Sequence, residues 1–414
     1  MRPTPPLRNF FSLAIAHGAG YALGLVVIPF LLHTYNPAQY GRLVMAQTLA
    51  GLCLLLADYG SGFSAVQRIA ELRDRPEACH AISSLVLTFR FGAALLLLPA
   101  FLLISHFANL SWRLALSAYL MVFAGIGFPS WIFQGRERMQ WPSRIQIGGQ
   151  ILGVLLILSF IRPRIPIYVV ALIQAGIPIL QTAVAWGKLH QEQWALVYRF
   201  PGWNPLRTML EENFPLVLGS ASTAVFCSGS VFWAGFLVGP ALAGLFGVAW
   251  KFFQVGATLF GHAQTAFYPR LSRLRQEHPE NVPVFFHTVL RAMLAFAFCL
   301  LLGTEILGPW MLPWVVGGVY GASLPALRVL ALAFPLAAWN VVLTANLVHR
   351  GKRWAFAGVL AVSACWSLGS MALSLHFWPS ATTPAWVYLG TEAFEAVLVA
   401  LFLQPFSPLR GIHA

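Results

Sequence analysis

Charge is scarce in this sequence. Only 9% of its 414 residues are Asp, Glu, Lys or Arg, and 58% are hydrophobic, whereas soluble domains run near about 25% charged. Mean hydropathy is +0.72. So little charge cannot cover a water-facing surface, so the whole chain is expected to be an integral membrane protein rather than a soluble domain with an anchor. Acidic residues are scarcer than basic ones, 13 against 26, for a net charge of +13. The five cysteines (Cys53, Cys79, Cys227, Cys299, Cys365) are scattered, without CxxC or Cys/His spacing. They are read as small apolar residues, and no metal centre is expected. GxxxxGK[ST] and HExxH are both missing, which argues against P-loop hydrolysis and zinc-protease chemistry. Period-two alternation is missing too, so helices rather than barrel strands are expected to span. No A-x-A exit follows the first apolar run, and no cleavable signal peptide is expected.

What is present is a series of long apolar runs. Spans are predicted at residues 10–32, 40–66, 81–104, 114–133, 145–160 and 167–186, then 214–237, 241–267, 284–302, 322–345, 355–375 and 386–403. About twelve spans put both termini on one side. Eighteen of the 26 basic residues fall on that side and four on the other. The positive-inside rule therefore makes the termini cytoplasmic. A basic face against anionic lipid accounts for the high net charge without nucleic acid.

The chain also repeats weakly. Asn9-Phe10 and Asn213-Phe214 open corresponding spans, as do Tyr40-Gly41 and Phe246-Gly247. Two six-helix lobes are implied, 1–187 and 214–414, joined by a cytoplasmic linker 188–213. Parallel repeats of this kind mark transporters, with the site between lobes.

The stretch from Gly244 to Thr265 carries the functional argument. Gly244, Gly247, Lys251, Gln254, Thr258 and Thr265 fall on one helical face; Leu245, Val248, Phe252, Val255, Leu259 and Phe260 fall on another. A lysine near mid-depth costs roughly 3 kcal/mol unless it meets water or a partner. The polar stripe therefore predicts a hydrated cavity; close packing through the glycines, with Lys251 reaching to the surface, is the alternative. Ser220, Thr223, Cys227 and Ser230 form a second small, polar stripe, and His17 sits on the first span. Arg90, Arg291 and Arg328 also lie inside predicted spans, as do Asp58, Glu392 and Glu395. Each is either a substrate or ion-coupling residue, or half of an internal pair: Asp58 with Arg90, or Glu392 and Glu395 with Arg291. Basic residues at depth in both lobes suit an anionic headgroup such as a pyrophosphate.

In order along the chain stand Asn9-Phe10 to Pro29, Tyr40-Gly41-Arg42, Asp58-Tyr59-Gly60 followed by Arg68, and Pro129-Ser130-Trp131-Ile132-Phe133-Gln134-Gly135 before Glu137-Arg138-Met139. Gly244 to Lys251 and Phe267-Tyr268-Pro269-Arg270-Leu271 follow. With this ordered set the chain resembles the O-antigen-type lipid-linked oligosaccharide flippases of the multidrug/oligosaccharidyl-lipid/polysaccharide exporter superfamily. The resemblance implies an all-α membrane fold of two six-helix lobes, V-shaped around a central cationic cavity. It implies an undecaprenyl-pyrophosphate-linked glycan as substrate, turned from cytoplasmic to periplasmic leaflet by alternating access in a bacterial inner membrane. By that likeness Lys251 corresponds to a cavity position.

The expected roles follow. Lys251, Arg291, Arg90 and Arg328 neutralise the pyrophosphate. Gln254, Thr258, Ser220 and Thr223 line the sugar path. Asp58, Glu392 and Glu395 are candidates for coupling to protons or sodium ions; no other cofactor is expected. Polysaccharide polymerase and chain-length machinery are candidate partners beside membrane lipids. An enzyme is not expected, because the longest non-cytoplasmic connection, 303–321, is short and apolar. The rivals are an ion-coupled drug exporter of the same superfamily and a non-transporting component of a polysaccharide assembly complex.

Overall fold

The computed structural model describes residues 24, 26–72, 75–192, 194, 197–349 and 351–403, and among these it is built from helices. Residues 26–34 are helical (α1), and the rest of the predicted first span, His17 included, lies outside the described residues. Among the described residues nine helices are long and apolar enough to cross a membrane, or up to eleven if each of two bent pairs counts as one span. The chain divides into two compact units, Met1–Val217 and Leu218–Ala414.

The first unit holds α2 (Pro37–Asp58), α3 (Ser61–Glu71), α4 (Pro76–Phe107), α5 (Trp112–Gly127), α6 (Ser130–Gly135), α7 (Gln140–Phe160) and α8 (Ile167–Gln191). Asn36 caps α2 with a full capping box: its side chain accepts from the Gln39 amide, and Gln39 answers. The span predicted at 40–66 is broken, contrary to expectation. Tyr59 and Gly60 both adopt left-handed backbone, at φ 49° and 65°, which ends α2 and starts α3 on a new axis. Central to this unit is α5, packed against α2, α4 and α8. The Trp131-Ile132-Phe133 motif is core: all three are essentially fully buried, among Ile69, Val86 and Leu189. Trp186 and Thr182 of α8 donate to the α5 carbonyls of Gly127 and Ala124, at 2.9 and 3.0 Å. Within the expected linker, 188–213, α8 continues to Gln191 and α9 (Trp203–Phe226) begins. Trp194, Leu206 and Met209 are buried in the first unit, whereas Trp203 is exposed.

The second unit takes the rest of α9, then α10 (Gly229–Leu237), α11 (Pro240–Glu277), α12 (Val282–Val316), α13 (Leu324–Ala331), α14 (Phe334–His349), α15 (Arg353–Phe377) and α16 (Thr383–Leu403). The pair α9 and α10 is bent by 48°, and the pair formed by α14 with the helical stretch before it by 46°. The apolar connection expected at 303–321 is not a loop. Helix α12 runs through it to Val316 despite Pro309 and Pro313, because a segment facing hydrocarbon must satisfy its backbone internally. Helix α11 is 38 residues long and shows three faces where two were expected. The most buried one carries Phe246, Trp250, Phe253 and Phe260, packed on Phe334 and Tyr388. Val248 and Phe260, read onto the apolar face, are fully buried. Gly256 permits this packing, since a Cβ there would stand 2.8 Å from the Phe334 ring.

Candidate functional site

In the first unit the ionisable pair suggested by the sequence is formed. Arg90 is 3% exposed. Its Nη2 donates to Asp58 Oδ1, its Nε to Ser61 Oγ at 2.9 Å, and its Nη1 to the Ile126 carbonyl at 3.3 Å. The guanidinium stacks on Trp131, 4.3 Å from the ring centroid. Gly62 makes room, because a Cβ there would meet Arg90 Nη2 at 2.8 Å. All three guanidinium nitrogens thus donate, and Arg90 and Asp58 are joined to each other. Gln47 similarly bonds Gln174 across α2 and α8.

In the second unit the expected residues separate into different environments. Lys251 lies about eleven residues into α11, roughly 17 Å along it, on a half-buried face with Gln254 and Thr258. Among the described residues no carboxylate lies within ion-pair distance of it. Arg328 pairs with Glu305 at 3.4 Å, both partly exposed. Arg291 is exposed on α12 and does not bridge Glu392 or Glu395.

Ser220 and Thr223 belong with the acidic pair instead. A cavity of about 400 Å³ is lined by Ser220, Thr223 and Cys227 near the α9–α10 bend, by Asn340 and Thr344 of α14, and by Tyr388, Glu392 and Glu395 of α16. Residues 388, 392 and 395 follow i, i+4, i+7 and share one helix face. Glu392 is 5% and Glu395 4% exposed. Asn340 Nδ2 donates to Glu392 Oε2 at 2.7 Å and to the Glu392 carbonyl at 2.9 Å. Asn340 Oδ1 is buried without a partner, and among the described residues no basic side chain bridges either glutamate. Helix α11 closes one wall through Ala257 and Phe260. Lys251 stands on a different face of that helix from these two. Asn340 and Thr344 were not singled out in the sequence. Their signal was present: Asn340 and Thr344 are one turn apart on an apolar helix. The arrangement can hold a small cation or protons: two carboxylates, an orphan carbonyl oxygen and several hydroxyls converge in a low-dielectric span.

Residues 7–275 match the family model described as polysaccharide biosynthesis protein. A putative O-antigen transporter of Escherichia coli (strain K12) is 24% identical over 96% of each chain. Its counterpart from Shigella dysenteriae is 24% identical over 96% of this chain and 98% of its own. Among solved structures, the lipid II flippase MurJ in an inward closed conformation superposes with a TM-score of 0.71 at 13% identity, over 94% of this chain and 87% of that one. An outward-facing multidrug resistance MATE family transporter of the MOP superfamily gives 0.65 at 15% identity, over 97% and 95%. These likenesses and the helices described above agree: the chain is a multi-pass α-helical membrane protein with the fold of the MOP superfamily, and it belongs to the polysaccharide biosynthesis protein family.

Proposed function

We propose that this chain is a flippase that moves an undecaprenyl-pyrophosphate-linked oligosaccharide unit from the cytoplasmic to the periplasmic leaflet by alternating access, with no covalent chemistry. The observation that carries this reading is Lys251: a lysine midway along a spanning helix, half-buried, with no carboxylate at ion-pair distance among the described residues. An unneutralised ammonium at that depth is costly, and a passing pyrophosphate satisfies it by charge-assisted hydrogen bonds. Gln254 and Thr258, on the same face, offer polar contacts to the sugars, and Arg291 adds a second cation. The names of the curated relatives, putative O-antigen transporters, support a lipid-linked glycan as cargo. The charge bias supports cytoplasmic termini, and the bacterial O-antigen transporter relatives support an inner-membrane location. The Glu392/Glu395 cavity is the proposed coupling site for a proton or sodium ion; an uncompensated carboxylate pair in a span is expensive, and a bound cation removes that cost.

Export in cells carrying Lys251→Ala or Lys251→Arg tests this. The alanine variant should accumulate lipid-linked intermediates and the arginine variant should export. Normal export by Lys251→Ala removes Lys251 from the mechanism. A second reading, an ion-coupled exporter of organic cations, is favoured by the acidic cavity alone. Gradient-dependent uptake of such a cation into everted vesicles would establish it.

A further inference from the structure

The far end of the α15–α16 pair carries another cavity, of about 570 Å³, within the roughly 300–1,000 Å³ of small-molecule sites. Trp366, Ser370 and Ser374 of α15, Trp378 of the connection, and Thr383 and Trp386 of α16 line it, and no ionisable side chain does. Positions 366, 370, 374 and 378 are spaced by four and form one stripe. The basic Lys352 and Arg353 mark the opposite end of α15, so the charge bias places the groove in the outer half of the bilayer.

An interfacial tryptophan belt accounts for Trp378 and Trp386, which sit at helix ends. It does not account for Trp366, eleven residues before the end of α15 and so roughly 16 Å deeper. Trp366 stacks one face on Phe394, with centroids 4.9 Å apart, and is still 49% exposed. The hydroxyls are also specific in what they offer. Ser370 donates to the Trp366 carbonyl at 2.7 Å and Thr383 to the Trp378 carbonyl at 2.6 Å. With their protons committed, both oxygens are left as acceptors. A ligand suited to these walls carries many O–H donors, apolar C–H faces to lie on indole rings, and no charge. That is a neutral sugar. A charged ligand finds no counter-charge, and a hydrocarbon tail leaves the hydroxyl oxygens against apolar atoms.

We propose that this groove binds a neutral stretch of the transported glycan on the outer side of the membrane. The proposal rests on the flippase reading above. It is tested with the full chain in lipid nanodiscs and three probes: the lipid-linked glycan extracted from a host lacking this protein, the glycan released from that lipid, and bare undecaprenyl pyrophosphate. Binding is followed for the native chain and for Trp366→Leu, Trp366→Phe and Ser374→Val. The expected result is binding of the lipid-linked glycan at least fivefold weaker in Trp366→Leu and Ser374→Val, near-native in Trp366→Phe, and unchanged affinity for bare undecaprenyl pyrophosphate. If Trp366→Leu does not fold, Ser374→Val carries the comparison. Unchanged affinity for the lipid-linked glycan in the variants overturns the groove and leaves the flippase reading standing. An equal loss for bare undecaprenyl pyrophosphate overturns it in favour of a prenyl-tail site. A native chain that binds none of the three probes overturns the flippase reading itself.

Discussion

Asn340 holds Glu392 twice, once at the carboxylate and once at the backbone carbonyl, at 2.7 and 2.9 Å from a single amide nitrogen. Glu395, one turn on and equally buried, has no such clamp. The two glutamates should therefore respond differently to neutralisation. Glu395→Gln removes a buried charge without breaking a described contact, so its thermal midpoint in detergent should be no lower than native. Glu392→Gln weakens a charge-assisted bond to Asn340, which costs about 1–3 kcal/mol, and its midpoint should fall. Both should cut export at least tenfold if the cavity couples transport to an ion; native export by the double variant would exclude that role.

The Asp58–Arg90 pair predicts an asymmetric outcome. Asp58 is 40% exposed and Arg90 4% at the side chain. Asp58→Ala strands a buried guanidinium and should cost about 3 kcal/mol, the low end for a broken buried pair. The double variant Asp58→Ala/Arg90→Met should recover part of that loss. Unfolding midpoints of the single and double variants close the cycle, and transport per folded molecule should change little.

Gly256 is a packing position. Alanine there puts a Cβ at 2.8 Å from Phe334 and should cost about 1–3 kcal/mol by overpacking. Phe334→Leu in the same chain should relieve it. A Gly256→Ala variant as stable as native would mean that the ring moves aside freely.

Glu192 gathers three cations at one end of the first unit. Arg138 bonds it directly, with Arg136 at 3.9 Å and Lys188 at 4.0 Å. Burial, with Arg138 alongside, pulls the Arg136 pKa below its ordinary value, and Glu192 opposes that. Glu192→Gln should lower stability by about 1–3 kcal/mol, the range for a weakened hydrogen bond between charged groups. The loss should shrink as salt rises, because screening weakens the exposed repulsion. Melting at low and high ionic strength measures both effects.

Much of the fold was legible in the sequence because burial in lipid writes long, uncharged runs. Family order was readable from Tyr40-Gly41, the Trp131 motif and the glycines before Lys251. The Asp58–Arg90 pair was nameable because both charges lay in adjacent spans. Three things were hidden. The 303–321 run looked like a loop, since glycine and proline signal breaks in water, yet α12 continues through it. On α11 the lysine stripe drew attention from the aromatic face of Phe246, Trp250 and Phe253, which decides how the helix sits. Ser220 and Thr223 were assigned to the Lys251 path because helix faces can be read from spacing but facing partners cannot. Asn340 and Tyr388, on later helices, are what claim that corner for the acidic pair.

The left-handed step at Tyr59-Gly60 leaves Asp58 on one lip of the break and Ser61 on the other, and Arg90 grips both. The kink is consequently a stitched joint rather than a hinge. Straightening it would pull the thread out of a residue some thirty positions away, and relaxing the thread would unseat Trp131 at the centre of the first unit. Tolerance to substitution at these sites is therefore shared, and a change accepted at one must be answered at the others.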